Sequence, residues 1–212
     1  MIGVKTVFFD VCGTLVNVNT TFDFVKYYHL KRKHLFRYLA LLLVSGLLGK
    51  VLERFFSFSI RKFVIKSLKG EYRADIDLIA SIYVEKVFKV NKIEKIFGIL
   101  SDYRDKPELY EVVLISASID PVIKAMSERI NVRFFSSKLK VDDEMCVGTL
   151  ETDLKGNKQK IVTSESNRFA FYSDNLDDLD CASYVVKYFY INKKRRELSF
   201  LSGFKNLRVI NV

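Results

Sequence analysis

Three apolar runs in this 212-residue chain end on groups that can do chemistry. Val7-Phe8-Phe9 leads into Asp10, and a Gly13-Thr14 turn follows. Glu111–Ser116 (EVVLIS) ends on Ser116 within a Ser-Ala-Ser, and Arg168–Ser173 ends on Ser173-Asp174. Asp178 lies one helical turn beyond Asp174. A carboxylate at the carboxyl end of a buried strand is costly to place there unless it is used, and in open α/β sheets those strand ends are where ligands bind. Carboxylates converging on one sheet edge repel one another. A hard divalent cation relieves that repulsion, and Mg²⁺ takes a few carboxylates together with waters and phosphate oxygens. A metal beside Asp10 would let a dianionic phosphate approach a carboxylate nucleophile. Ser116 would donate to one phosphate oxygen, and a lysine at the start of the segment Lys158–Ser164 would neutralise another.

These groups need strands that end together. Strand runs are expected over 4–10, 111–116, 132–136, 168–173 and 188–191, with a hairpin over 138–152. Helices are expected from Asp120-Pro121 through Arg129, over 158–164 and over 177–184. Strands alternating with helices imply a parallel sheet covered on both faces. Residues 20–104 have a different character: no proline, long helical periodicities such as Ile76-Ile79-Ala80-Tyr83-Val84-Val87, and a further helix over 92–103. This stretch reads as an insert of four or five helices, able to sit over the strand ends as a lid. The expected organisation is an α/β Rossmann-like core (1–16 and 106–212) with an all-helical cap (17–105).

With 49% hydrophobic and 14% aromatic residues the chain can bury a sizeable core. The net charge of +10 suits nucleic acid, anionic lipid headgroups or phosphorylated small molecules. No recognition helix or nucleic-acid motif surrounds Lys193-Lys194-Arg195-Arg196, so nucleic acid is not expected. Tyr38–Leu48 is apolar but too short to span a bilayer, which takes about 20 residues. It reads as a buried helix, with an interfacial helix as the alternative because Lys31, Arg32 and Lys33 lie just upstream. Cys12, Cys146 and Cys181 have no zinc-type spacing, and no secretory signal precedes the first strand. The expected location is the cytoplasm, with peripheral contact at the inner face of the membrane as a further expectation.

In this order the residues resemble the haloacid dehalogenase superfamily of phosphohydrolases. The family's hhhDxDGT corresponds to VFFDVCGT, its strand ending in Ser or Thr to VVLISAS, its helix-opening Lys to GNKQKIV, and its GDSxxD to YSDNLDD. A helical cap between the first two motifs, with the SAS and the GTL after the hairpin, is similar to the phosphoserine-phosphatase-like branch. The YSD form and the apolar, basic cap are similar to bacterial phosphatidylglycerophosphate phosphatases. The resemblance implies Mg²⁺-dependent hydrolysis of a phosphate monoester, either a small metabolite or a lipid phosphate, through an aspartyl-phosphate on Asp10. It also implies that Asp10, the main-chain carbonyl of Cys12 and Asp174 hold the metal, that Asp178 binds or orients the metal shell, and that Ser116 and Lys158 bind the phosphoryl group.

One residue departs from the pattern. The family's second Asp, which protonates the leaving oxygen and then activates water, is Cys12 here. A thiol with a pKa near 8.5 is a poor substitute at neutral pH. The alternatives are therefore a catalytically impaired protein that binds an anionic ligand or partner, and a phosphotransferase. Among neighbouring residues, Lys158 is favoured over Lys160 as the motif lysine because Ile161 and Val162 follow it at helical spacing. Ser118 is read as the cap of the next helix, Asp177 as a helix N-terminal charge, Cys146 and Cys181 as packing residues, and His29 and His34 as surface or interface groups.

Overall fold

In the computed structural model, which describes residues 3–46, 54, 59–193 and 203–212, the run ending at Phe9 is the central strand β1 (Lys5–Phe9) of a seven-stranded sheet. The other strands are β2 (Tyr110–Ile119), β3 (Arg133–Asp142), β4 (Met145–Thr152), β5 (Arg168–Ser173), β6 (Lys187–Asn192) and β7 (Leu207–Asn211). Their order is β4-β3-β2-β1-β5-β6-β7, and only β3–β4 is antiparallel. The chain steps outward from β1 to β4 and then returns to place β5 on the other side of β1. That reversal opens a crevice at the carboxyl ends of β1 and β5.

Val7, Phe8 and Phe9 have no exposed surface. A strand covered on both faces reads as a continuous apolar run rather than an alternating one. In-register parallel pairing then stacks aromatic side chains in two rows. Phe9, Tyr172 and Phe189 lie on one face at centroid spacings of 4.5 and 4.4 Å, and Phe8, Phe171 and Tyr188 on the other at 6.1 and 5.5 Å. These rows hold β1 against β5, and so bring the ends of these two strands together.

Between β1 and β2 lie α1 (Thr20–Lys31), α2 (Leu35–Ser45), α3 (Ile60–Lys66), α4 (Arg73–Val90) and α5 (Glu94–Arg104). α6 (Asp120–Ile130) follows β2, α7 (Lys158–Ser164) precedes β5, and a 3₁₀ helix (Leu176–Tyr184) follows it. α4 buries Ile76, Ile79, Ala80, Tyr83, Val84 and Val87, the stripe expected from spacing. α5 lies against the sheet: Tyr103 meets Phe9, Tyr110 and Tyr172 edge-on. Among the described residues no helix is long and apolar enough to cross a membrane.

Several expectations need correction. The helix expected from Lys92 starts at Glu94, because Lys92 bridges to Val16 and Ile93 N donates to Leu15 O, which keeps that stretch extended. Residues 176–184 are helical as expected, wound as 3₁₀. Strand β7 was not foreseen. It sits at the sheet edge with its residues half-buried or exposed, so it carries little hydrophobic pattern. Residues 47 and 48 of the apolar stretch, and Lys194, Arg195 and Arg196, lie outside the described residues.

The helical layer is fastened to the β3–β4 hairpin by main-chain bonds. Gly70 N donates to Cys146 O, Cys146 N to Glu71 O, and Arg73 N to Glu144 O. The Arg73 guanidinium adds ion pairs to Asp120 at 2.7 Å and Asp77 at 2.8 Å. Asp120 is only 13% exposed, so removing its partner leaves a largely desolvated charge. Arg73→Met should therefore lower stability by about 1–3 kcal/mol. This would appear as a lower urea midpoint with an unchanged m-value.

Candidate active site

After Phe9 the chain turns back on itself. Val11 O accepts from Leu15 N and Val16 N, and Gly13 N donates to Val16 O. Gly13 has φ +80°, and a Cβ there would lie 2.1 Å from Asp174 Oδ2. Glycine at this position both allows the turn and lets the β1 and β5 ends approach. Thr14 fastens the approach: its hydroxyl accepts from Asp174 N at 3.0 Å and donates to Asp174 Oδ1 at 3.3 Å. Asp10 N donates to Tyr172 O.

Beneath Asp10 lies Lys158 from the first turn of α7, 4% exposed. Its ammonium donates to Asp10 Oδ1 at 2.6 Å and to Asp178 Oδ2 at 2.7 Å. Asp178 Oδ2 also accepts from Ser173 Oγ at 2.6 Å. Burial pushes the Asp10 carboxyl up to about 6; Lys158 opposes this, while Asp178 and Asp174 add to it. Burial would lower the lysine, but the two carboxylates outweigh it and hold its pKa above the ordinary value. Lys160 is exposed. Asp174 is paired with Lys193 at 2.8 Å.

Asp10, Cys12, Ser116, Lys158 and Asp174 all line one cavity of about 470 Å³. Asn19, Thr21, Phe22, Ser59 and Arg61 close it from the helical side. Ser116 Oγ accepts from Ser118 N at 3.2 Å, an arrangement that leaves its O–H to donate. Ser118 does not cap α6; Ile119 holds that position and makes no side-chain bond there. Instead Ser118, Thr20 and Cys12 form a closed cycle. Thr20 Oγ1 donates to Ser118 Oγ at 2.7 Å, and Cys12 Sγ lies 3.0 Å from Ser118 Oγ and 3.1 Å from Thr20 Oγ1. Thr20 N also donates to the sulfur. Burial and the nearby Asp10 charge raise the Cys12 pKa, so the thiol keeps its proton.

The oxygen donors here suit a hard cation. Asp10, Asp174 and Asp178 bring three carboxylates, and Lys158 and Lys193 bring two ammonium groups. Asp178 faces Lys158 and Ser173, so the oxygens nearest the crevice are those of Asp10 and Asp174.

Sequence reasoning missed Thr14, Thr20, Arg61 and Lys193. Thr14 was legible in the Gly-Thr turn. Nothing in its neighbourhood marked Arg61, which crosses from α3 to Ala117 O at 2.7 Å, Ser137 Oγ at 3.2 Å and Asp153. His29, expected near the surface, is completely buried against Ser67 and Tyr28.

A parallel sheet with a helical insert after its first strand, and a strand-end carboxylate paired to a buried lysine, define a hydrolase class. The family model for haloacid dehalogenase-like hydrolases matches residues 7–183, and the chain belongs to that family. Three solved structures show the same fold. A protein of unknown function from Bordetella pertussis Tohama I has a TM-score of 0.77 at 12% identity, covering 98% of this chain and 99% of the other. A phospho-aspartyl intermediate analogue of phosphoserine phosphatase has 0.61 at 16%, covering 98% and 93%. A phosphoserine phosphohydrolase-like protein from Francisella tularensis subsp. tularensis SCHU S4 has 0.60 at 13%, covering 97% and 95%. No curated protein sequence matches as a relative.

Gly13→Ala tests how the two strand ends are coupled. The strained backbone should cost about 1–3 kcal/mol, and the methyl must displace Asp174. The variant should remain folded by circular dichroism, and any shift in melting temperature on adding Mg²⁺ should be smaller than in the wild type.

Proposed function

We propose that the protein hydrolyses phosphate monoesters with Mg²⁺, using Asp10 as nucleophile. The observation that carries this reading is the Asp10–Lys158 contact at the floor of the cavity, with Ser116 and Asp174 on the same wall. Lys158 holds Oδ1 of Asp10, which leaves Oδ2 to attack phosphorus. The P–O bond to the leaving group breaks as the bond to Asp10 forms. The leaving oxygen takes a proton from solvent; water then attacks phosphorus and returns a proton to solvent, the bond to Asp10 breaks, the carboxylate is regenerated and inorganic phosphate is released. Ser116 donates to a phosphoryl oxygen, and Asp178 fixes the lysine. Asp10, Asp174 and the Cys12 carbonyl would hold Mg²⁺, which when bound offsets charge on the carboxylates and the phosphate. The core (1–16 and 106–212) and cap (17–105) are part of this proposal, with α5 as the cap's sheet-bound end.

The cap supports a lipid phosphate over a small hydrophilic one. A second cavity of about 870 Å³ shares Ser59, Arg61 and Lys155 with the first. It combines Lys62, Lys66 and Lys69 with Ile65, Val147 and Leu150. Cations beside aliphatic walls suit a leaving group with an anionic head and an apolar body. On α2, Leu35, Phe36, Leu39 and Leu43 are 59, 91, 54 and 63% exposed, beside exposed Arg32 and Lys33. An apolar helix face rimmed by cations suits an anionic membrane surface, which supports peripheral contact with a membrane.

Cys12 sets the rate. Its thiol is a weak acid tied into hydrogen bonds with Thr20 and Ser118, so an alkoxide leaves poorly. A general acid typically contributes about 10²–10⁴-fold. With Mg²⁺, aryl phosphates should turn over well and alkyl phosphates slowly. Cys12→Asp should speed alkyl-phosphate hydrolysis much more than aryl-phosphate hydrolysis, and Asp10→Asn should abolish both. If Cys12→Asp leaves alkyl turnover unchanged or lower, Cys12 does not stand in for a general acid, and the chain has either a different acid from its cap or no phosphatase chemistry to restore.

The lipid reading has its own measurement. Lys66→Glu with Lys69→Glu should raise KM for phosphatidic acid in mixed micelles but not for p-nitrophenyl phosphate. Phe36→Glu should reduce co-sedimentation with anionic liposomes at low salt. A small hydrophilic substrate is indicated if neither changes.

A further inference from the structure

Remote in role from Asp10, the cap gathers a second set of groups that could hold a metal. His29 at the end of α1, His34 just before α2 and Glu71 between α3 and α4 bring one ligand atom each within 4.8 Å of one another. His29 has no exposed surface, Glu71 is 7% exposed and the His34 side chain 34%.

Hydrogen-bond bookkeeping fixes where the lone pairs are. Ser67 Oγ gives its single proton to Val64 O at 2.7 Å. At 3.0 Å from His29 Nε2 it must therefore accept, so His29 carries its proton on Nε2 and a lone pair on Nδ1. That lone pair meets His34 Nδ1 at 3.4 Å, and His34 Nδ1 lies 3.4 Å from Glu71 Oε1. Both distances are long for hydrogen bonds that would justify burying His29 and Glu71. The far sides are well held, since Tyr28 donates to Glu71 Oε2 at 2.8 Å and Ser67 orients His29. Metal-binding histidines and carboxylates are oriented by partners placed this way.

We propose that His29 Nδ1, His34 Nδ1 and Glu71 Oε1 form a binding site for a divalent transition ion of the zinc class. Two imidazoles and a carboxylate suit Zn²⁺, Co²⁺ or Ni²⁺ rather than Mg²⁺. Binding requires His34 to carry its proton on Nε2, a tautomer change with no net charge. Arg37 is the competitor: its guanidinium sits 2.5 Å from Glu71 Oε1 and bonds Ser67 O at 3.0 Å. Its side chain is 45% exposed, so it can leave for solvent when a cation takes its place. An ion here would join α1, the start of α2 and the turn before α4. Through the bond from Cys146 N to Glu71 O it would also stiffen the cap against the β3–β4 hairpin.

The test is a Co²⁺ titration of the full chain, read by visible absorption and calorimetry. The Asp174→Ala variant serves as background, to remove metal binding beside Asp10. One Co²⁺ per chain with a d–d band, displaced by Zn²⁺, is expected in that background. His34→Ala should weaken binding by about 100-fold or more. Arg37→Ala should tighten it by about 5-fold or more, because the arginine and the ion exclude each other. His34 is partly exposed, so its variant should keep the wild-type circular dichroism spectrum and melting curve in the absence of metal. No d–d band in either the Asp174→Ala background or Arg37→Ala would overturn the proposal, leaving a hydrogen-bonded cluster only. So would Co²⁺ binding that survives His34→Ala.

Discussion

The arrangement of this site depends on one buried ammonium. Lys158 sits between Asp10 and Asp178 with almost no access to water, bonded to both. Without it, two carboxylates would be buried close together, and the sheet end could not hold Asp10 ionised. Without the carboxylates, the lysine would be forced toward its neutral form. The lysine is therefore required by the architecture before any substrate arrives. It also engages one oxygen of Asp10 and leaves the other for chemistry.

That balance needs β1, α7 and the segment after β5 to converge, and the strand order makes them do so. β5 returns to the far side of β1, and the stacked rows Phe9–Tyr172–Phe189 and Phe8–Phe171–Tyr188 lock the pairing on both faces. A one-residue slip would exchange the two faces and move Asp174 away from Thr14 and Gly13. Gly13 marks how close the approach is, since its missing side chain makes room for the Asp174 carboxylate.

Much of this was legible because it is local. The buried run before Asp10, the apolar stripe of α4, the strand that carries Ser116 and the helix opened by Lys158 each carry a periodicity or a turn signal within a few residues. Lys158 could be preferred to Lys160 from two following apolar residues, and the structure buries the first and exposes the second. What was not legible depends on partners far apart in sequence. Arg61 is one more basic residue in a basic helix until the fold sets it against Ala117 and Asp153. Ser118 looks like a helix cap until Thr20 and Cys12 take its hydroxyl. His29 looks like a surface group beside a basic run until α2 and the turn after α3 close over it.

The same distinction explains why Cys12 matters more than a single substitution usually would. Asp10, Lys158, Asp178 and Ser173 form a set in which each charge has a partner, and none of those contacts involves the Cys12 side chain. The position is thus free to vary without unfolding the site. The thiol satisfies itself sideways, in a cycle with one residue from the helical layer and one from β2. A carboxylate there would add negative charge beside Asp10, where burial has already raised the pKa. Cysteine eases that electrostatic load, and in the reaction proposed above it would do so at the expense of acid catalysis, favouring leaving groups that depart without a proton.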